Sequence, residues 1–145
     1  PERVLVTGGG SGIGAGIVEA FAEQGSDVTF FDIAEEDSRE LAERLSAGFE
    51  QVDLTDIAST QATIARLVEE AGPFDVLVNN AANDDRHSIA DVTEAYWDDR
   101  FNVNLKHQFF CAQAVAPGMR QKGGGSIVNL GSISWHLALP ELVLY

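Results

Sequence analysis

The chain has 145 residues, 45% of them hydrophobic, and its nine basic and 23 acidic residues give a formal net charge of −14. This length fits one domain with its own core, and the charge excludes nucleic acid and acidic membranes as partners, because both attract clusters of lysine and arginine that this sequence lacks. The single cysteine, Cys111, excludes an internal disulfide, and without a signal-peptide pattern or about 20 consecutive apolar residues we expect a cytoplasmic protein.

Short apolar segments alternate with helical patterns along the whole sequence. Strands are predicted at Val4–Thr7, Val28–Ile33, Phe49–Leu54, Asp75–Ala81 and Ser126–Leu130. Their β-branched and aromatic residues are nearly continuous, which is typical of buried parallel strands. Repeated strand–helix alternation therefore predicts an α/β fold, a doubly wound parallel sheet in a single domain over residues 1–145.

Four helices are predicted between these strands. The first has an apolar face with i, i+4 spacing, and the second is marked by two leucines. The third begins after Thr55 or Asp56 as N-cap and ends at Gly72. The fourth is a long helix expected from about Tyr96 to Gln121, which Pro117 could bend. The apolar positions of the first three are Ile13, Ile17, Val18, Phe21 and Ala22, then Leu41 and Leu45, then Ile57, Ile64, Leu67 and Val68.

The fourth predicted helix is apolar on more than one side. Phe101, Leu105 and Phe109 lie on one side, and Phe110 and Ala114 lie on another. A helix that covers one face of a sheet needs only one apolar stripe. The second stripe predicts either deep burial or a contact with another subunit, as in a homo-oligomeric dimer or tetramer.

The segment VLVTGGGSGIG, residues 4–14, joins the first strand to the first helix. Glycine inside a regular element costs roughly 0.5–1 kcal/mol relative to alanine, so a cluster of glycines needs a reason. After the first strand of a parallel sheet, a glycine turn lets the backbone approach a diphosphate at a helix N-terminus, where free N–H groups and the helix dipole favour negative charge. This segment therefore predicts a dinucleotide site.

The glycine spacing, T-G-x-x-x-G-x-G from Thr7 to Gly14, resembles that of the short-chain dehydrogenase/reductase family. The resemblance implies a Rossmann fold of seven strands, of which this chain would hold the N-terminal five. It also implies a dinucleotide cofactor. The cofactor-binding residues expected from the resemblance are Gly8, Gly10, Ser11, Gly12, Ile13, Gly14, Asp32, Ile33, Asp53, Leu54, Asn80, Ala81 and Ala82.

Asp32, at the end of the second strand, indicates which cofactor is bound. Its carboxylate can accept hydrogen bonds from both hydroxyls of the adenosine ribose, whereas a 2′-phosphate there would meet like charge. Neither Ser11 nor Ile33 supplies a compensating positive charge. NAD is therefore predicted in preference to NADP. In the family pattern, Asp53 contacts the adenine ring and the NNAA segment at 79–82 follows the fourth strand.

Three residues match the catalytic positions of the family, and the resemblance implies their roles. Tyr145 would exchange a proton with the substrate hydroxyl, Ser132 would hydrogen-bond the reacting oxygen, and Asn104 would hold a water in a proton relay. Free tyrosine has a pKa of about 10, too high for a base near neutrality. The family lowers it with the nicotinamide charge and a lysine four residues later. Because the sequence ends at Tyr145, we expect a fragment whose C-terminal part is absent.

Two segments match the family's substrate pocket, and they predict a small-molecule substrate. Asn83 begins a polar loop of carboxylate, guanidinium and imidazole groups that could bind several hydroxyls. Ser134, Trp135 and His136 lie between the catalytic serine and tyrosine, and an indole suits the C–H face of a sugar. These segments resemble NAD-dependent sugar dehydrogenases, which implies oxidation of an aldopentose such as D-xylose at C1. His136 and the polar loop could equally be solvated surface.

Two other functions fit the same features. A 3-oxoacyl-type ketoreductase would usually prefer NADP and a basic patch, so Asp32 and the charge of −14 disfavour it. A non-catalytic cofactor-binding Rossmann protein could lack the lysine. His107 and Cys111 share an i, i+4 spacing, but no further ligand joins them, so we expect them to pack in the interior and no metal site.

Overall fold

The computed structural model describes residues 1–145. The strands are β1 (Arg3–Thr7), β2 (Asp27–Asp32), β3 (Gly48–Gln51), β4 (Val76–Asn79) and β5 (Ser126–Asn129). The helices are α1 (Gly12–Glu23), α2 (Glu35–Leu45), α3 (Ile57–Ala71), α4 (Glu94–Phe101) and α5 (His107–Gln121). A 3-10 turn (Ile89–Asp91) precedes α4, and a π-helical segment (Asn102–Lys106) joins α4 to α5. None of the helices combines the length and apolar character that crossing a bilayer would take.

The five strands form one parallel sheet in the order β3-β2-β1-β4-β5. This arrangement confirms the predicted α/β fold with a doubly wound parallel sheet. The chain goes outward from β1 through β2 to β3, then crosses back to the other side of β1 to form β4 and β5. The carboxyl ends of β1 and β4 therefore flank the switch point, where ligands bind in such sheets.

Alternate residues of the central strands face opposite layers of helices, as the pleat requires. On one face, Leu5 and Leu77 pack with the buried residues of α3 and α5. On the other, Val4, Val6 and Val78 pack with those of α1 and α2. Because both faces of the sheet are covered, the middle strands read as continuous apolar segments. Because the strands are parallel, the polar residues at their carboxyl ends lie at the same edge of the sheet.

Four strands end earlier than the sequence predicts, and hydrogen bonds explain two of the cases. β3 stops at Gln51, before Asp53, because the Asp53 carboxylate accepts from the backbone N–H and hydroxyl of Thr55 and forms a turn. β4 stops at Asn79 because the next two N–H groups donate to the Thr7 hydroxyl. β2 ends at Asp32 and β5 at Asn129, each one residue early. The site residues thus lie in turns just beyond the strands.

The N-terminus of α3 settles an alternative that the sequence left open. Asp56 is the N-cap, and its carboxylate accepts a hydrogen bond of 3.0 Å from the backbone N–H of Ser59. Thr55 instead bonds Asp53. The helix ends where expected, with Gly72 as its C-cap at a φ of 90°. This positive φ explains the glycine.

The long helix predicted from about Tyr96 to Gln121 consists of α4, the π-helical segment and α5, and two details go beyond the prediction. The helix begins earlier, at Glu94, because the Thr93 hydroxyl accepts from the backbone N–H of Tyr96. It is also interrupted by the π-helical segment, which widens one turn around Asn104. Pro117 lies inside α5 without ending it. Such wide turns are rare overall, and those that occur are often found at functional sites.

Candidate cofactor and active site

The glycine turn between β1 and α1 is crowded mainly by the protein itself. A Cβ on Gly14 would lie 1.8 Å from the Gly8 carbonyl oxygen, and one on Gly8 would lie 2.7 Å from the Cα of Ala81. Gly9 and Gly10 are similarly blocked, by Phe30 and by the Ser38 and Asp32 side chains. A bound ligand alone therefore does not explain why glycine occupies these positions. Most of these glycines let the turn fold against β2 and the segment after β4.

Gly12 is the exception, because a Cβ there would meet no atom within 4 Å. Its φ of +53° favours glycine. It opens α1, whose N-cap, Ser11, makes no side-chain capping bond, and the first turn of the helix contains no acidic residue. The N-terminus of α1 is therefore open, with unsatisfied N–H groups and the positive end of the helix dipole. A diphosphate fits this position.

Asp32 lies beside this helix terminus and is held by the turn. Its carboxylate accepts hydrogen bonds from the backbone N–H groups of Gly10, at 2.8 Å, and Ala34, at 3.0 Å. A carboxylate has about four acceptor sites, so two remain for a ligand. The apolar side chains of Ile13 and Ile33 are about 70% exposed on the two elements next to it. The structure thus brings an oriented acid and two exposed apolar side chains to the open end of α1.

Asp53 and Leu54 differ in what they offer a ligand. Hydrogen bonds from the side chain and backbone of Thr55 hold the pKa of the Asp53 carboxyl below its usual value, so it is ionised at neutral pH. Both bonds go to Oδ1, which leaves Oδ2 without a hydrogen bond. The Leu54 side chain is buried in the core beneath the turn. Any contact from Leu54 to a ligand would come from its main chain.

The segment after β4 is fastened to the glycine turn. The Asn80 side-chain amide donates to the carbonyls of Thr7 and Gly8, at 3.1 and 2.9 Å. The Thr7 hydroxyl accepts the backbone N–H groups of Asn80 and Ala81, each at 3.1 Å. Asn80 therefore fixes the turn, while Ala82 is exposed. The sequence gives Thr7 only as part of the motif, and its hydroxyl proves to join the two segments.

His107 is fully buried beneath this segment, and its Nε2 lies 3.0 Å from the carbonyl oxygen of Ala81. A carbonyl only accepts, so Nε2 carries the proton. Burial lowers the pKa of His107, opposed by the Ala81 hydrogen bond. Cys111, one turn later, is also buried, and burial raises the pKa of its thiol to about 12. The prediction that this pair packs in the interior is confirmed.

We expect His107 to make the fold sensitive to acid. Because its folded pKa is depressed, the unfolded chain takes up a proton more readily, so stability is complete above the ordinary pKa of about 6.5 and falls as the pH drops below it. His107→Gln keeps an amide donor near Ala81 without a titrating ring. Thermal unfolding midpoints from pH 8 to pH 5 should fall less steeply for this variant. Equal slopes in the two proteins would contradict the assignment.

Asn104 lies in the π-helical segment and faces the loop after β4. Its Oδ1 accepts from the backbone N–H of Asn83 at 2.7 Å, and its Nδ2 donates to the Asn83 carbonyl at 3.1 Å. The main-chain carbonyl of Asn104 accepts from the Gln108 side chain at 3.1 Å. Asn104 therefore fixes the start of the polar loop. Its predicted role in a water relay stays a prediction.

Ser132 and Tyr145 lie in the segment after β5. The Ser132 hydroxyl donates to the hydroxyl of Ser134 at 2.9 Å and accepts the Ser134 backbone N–H at 3.1 Å. The Tyr145 side chain is 39% exposed, and its hydroxyl makes no hydrogen bond. No hydrogen bond joins Ser132 to Tyr145, so the structure does not itself assemble them as a pair. Their catalytic roles stay predictions.

The residues predicted to line the substrate pocket are placed unevenly. Trp135 is 72% exposed and stacks on the ring of His136, with 3.5 Å between the ring centroids. Ser134 is buried, and its hydroxyl accepts a hydrogen bond from the Ser132 hydroxyl. The Asn83 side chain accepts from the Arg100 guanidinium and from the backbone N–H of the residue two positions later. Only the Trp135–His136 pair is thus free to meet a ligand without breaking a bond.

His87, in the same polar loop, has a role that the sequence did not reveal. Its backbone N–H donates to the Glu141 carbonyl at 2.9 Å, and its ring accepts the Leu144 N–H at 3.2 Å. In the loop interpreted as a hydroxyl-binding surface, this imidazole therefore forms its hydrogen bonds with the protein itself. Separations of 54 and 57 residues leave no local pattern that would have predicted these contacts.

Comparison with known proteins assigns this arrangement to a group. A sequence profile of the short chain dehydrogenase family matches residues 2–145. D-xylose 1-dehydrogenase of Caulobacter vibrioides is 56% identical, covering 99% of this chain and 58% of that protein. The "Probable galactose dehydrogenase GalD" of Rhizobium meliloti is 51% identical, covering 98% of this chain and 58% of that protein. A short-chain dehydrogenase from Streptomyces avermitilis has a solved structure that matches with a TM-score of 0.92 at 29% identity, covering 99% of this chain and 54% of that one.

Proposed function

We propose that this chain, which belongs to the short-chain dehydrogenase family, forms the cofactor-binding part of an NAD-dependent oxidoreductase that oxidises a sugar or polyol hydroxyl. The chain spans 58% of the length of the curated sugar dehydrogenases that it resembles, so the activity, substrate and partners of the protein are all part of the proposal. The family itself implies a nicotinamide cofactor. The preference for NAD over NADP and the identity of the substrate as a sugar go beyond the family and are proposed here.

The observation that carries the proposal is the orientation of the Asp32 carboxylate beside the open N-terminus of α1. The Gly10 N–H fixes this acid, and its remaining acceptor sites suit ribose hydroxyls. Gly12 leaves space where a diphosphate would approach the helix. Like charge would repel a 2′-phosphate at Asp32. The residues present therefore fit NAD.

The chain's own residues would then divide the remaining work. A bound nicotinamide would supply the acceptor for a hydride from the carbon that carries the hydroxyl. Tyr145 takes the hydroxyl proton, and its exposed, unbonded oxygen is available for this transfer. Ser132 steadies the same oxygen, because its hydroxyl hydrogen can rotate away from Ser134 while the Ser134 N–H bond stays in place. Asn104 holds the entrance of the polar loop.

A sugar is favoured as the substrate class by the exposed Trp135–His136 pair. An indole ring offers a large apolar face for the C–H groups of a sugar, and the neighbouring imidazole offers a polar atom for its hydroxyls. The names of two curated relatives, a xylose and a galactose dehydrogenase, agree with this class. Oxidation of an aldopentose such as D-xylose at C1 would yield the lactone, with two electrons leaving as hydride and the proton passing to Tyr145.

The protein expressed from its complete gene should be tested with a panel of aldopentoses, aldohexoses, polyols and 3-oxoacyl thioesters. Absorbance of the reduced cofactor is followed with NAD and with NADP. We expect turnover of an aldose with NAD. Turnover of 3-oxoacyl thioesters with no activity on any sugar would instead support the ketoreductase. Saturable NAD binding without turnover of any compound would support a non-catalytic role.

Asp32→Asn is expected to narrow the preference for NAD over NADP by about tenfold or more. The amide keeps the shape of the side chain but removes the charge that opposes a 2′-phosphate. Dissociation constants for both cofactors provide the measurement. Glu36→Gln, an exposed acid in the first turn of α2, removes the same charge without contacting the turn and should leave the ratio unchanged. An unaltered ratio in Asp32→Asn would contradict the assignment of Asp32.

A homo-oligomer and a cytoplasmic location belong to the same proposal. Leu105 and Phe109, which share one apolar side of the predicted fourth helix, are 54% and 65% exposed. A second subunit would bury them. Sedimentation of the protein from its complete gene should give a dimer or tetramer, and charge substitutions at these two residues should dissociate it.

A further inference from the structure

We infer that His87 is a positioning residue that holds the segment carrying Tyr145 in place. This inference rests on the proposed function, because it matters for the reaction only if Tyr145 exchanges a proton with substrate. His87 lies in the loop after β4, and Tyr145 follows β5 by sixteen residues. The two are brought together by hydrogen bonds that no other residue of the chain replaces.

The bonds from His87 fix two points of residues 131–145, the segment that carries Tyr145. Its backbone N–H donates to the Glu141 carbonyl at 2.9 Å, and its Nε2 accepts the Leu144 N–H at 3.2 Å. Leu144 is the residue before Tyr145. All other hydrogen bonds of residues 131–145 stay within that segment. Within residues 1–145, His87 therefore supplies every hydrogen bond between this segment and the other elements.

The ring of His87 is held in the form that this contact requires. A backbone N–H only donates, so the Nε2 that faces Leu144 must be unprotonated. The other ring nitrogen, Nδ1, lies 3.0 Å from the Asp85 carbonyl, which only accepts, so Nδ1 carries the proton. Both nitrogens are used in one neutral tautomer. The hydrogen bond to Asp85 thereby selects the acceptor for Leu144.

Helix α4 supports this loop from the other side. The Tyr96 hydroxyl donates to the Asp85 carboxylate at 2.9 Å, and the Tyr96 ring lies 5.3 Å from the His87 ring, tilted by 59°. A chain of contacts thus runs from α4 through Asp85 and His87 to Leu144. A side chain held this way orients the backbone of residues 131–145 rather than touching substrate. His87 therefore acts through Tyr145.

The test compares His87→Leu with His87→Gln in the protein expressed from its complete gene. Leucine fills space but accepts no hydrogen bond, whereas glutamine presents a carbonyl oxygen near the position of Nε2. The backbone bond to Glu141 persists in both. We expect kcat to fall about 10- to 100-fold in His87→Leu, because displacement of a catalytic group by about 1 Å can cost about 100-fold. The NAD dissociation constant should not change, since the glycine turn is untouched, and His87→Gln should recover most of kcat.

A second measurement does not depend on activity. Hydrogen–deuterium exchange of the peptide containing Leu144 should be faster in His87→Leu than in the parent protein and near the parent rate in His87→Gln. Unchanged exchange in His87→Leu would overturn the inference. So would an unchanged kcat in His87→Leu when Tyr145→Phe is inactive. If Tyr145→Phe is fully active the proposed function fails, and the exchange result then decides separately whether His87 holds the segment.

Discussion

Tyr145→Phe is expected to lower kcat by about 10²- to 10⁴-fold, the usual contribution of one acid–base group. The variant removes only a hydroxyl that makes no hydrogen bond with the rest of the chain. Its unfolding midpoint and NAD dissociation constant should therefore match those of the parent. Initial rates with saturating NAD and the preferred sugar provide the measurement. Loss of activity together with loss of NAD binding would point to a structural role instead.

Gly14→Ala is expected to lower the free energy of unfolding by about 3 kcal/mol or more, the upper range for overpacking a filled site. Its Cβ would lie 1.8 Å from the Gly8 carbonyl and 2.6 Å from the Asn80 amide nitrogen, so the turn would have to open. An opened turn would also lose the diphosphate position. Urea unfolding and NAD titration measure the two effects.

Gly16→Ala is the matched control for this prediction. Gly16 lies two residues further along α1, and a Cβ there meets nothing within 4 Å. Alanine in a helix interior is better than glycine by roughly 0.8–1 kcal/mol, so this variant should be slightly more stable. Equal effects of the two substitutions would show that helix propensity, and not the close approach of Gly8 and Gly14, sets the cost.

The sheet and the glycine turn could be predicted from the sequence because their signals are local. Buried strands such as Val4–Thr7 are continuous apolar segments, and a glycine cluster after the first of them marks one particular turn. Asp32 was identified as the acid beside the turn for the same reason. Its hydrogen bond with Gly10 joins neighbours across a single strand–turn contact.

The reasons for particular residues were harder to predict, because they lie in contacts between distant segments. The crowding of Gly8 comes from Ala81, and the role of His87 comes from Leu144. Side-chain orientation across 57 or more residues has no periodicity to detect. The wide turn at Asn104 is similar, because its amide oxygen accepts from the Asn83 N–H, a contact between segments that no helical pattern encodes.

The π-helical segment has a consequence for how this protein can change. A π-turn amounts to one residue inserted into an α-helix. Deleting a single residue between 102 and 106 would restore ordinary winding, because the wide turn holds the extra residue while the helices on either side keep nearly the same phase. The smoother helix would form more readily on its own, yet its asparagine would no longer reach the loop after β4. We therefore expect insertions and deletions to be tolerated in the surface turns but not in the π-helical segment, where a more regular helix would be less active.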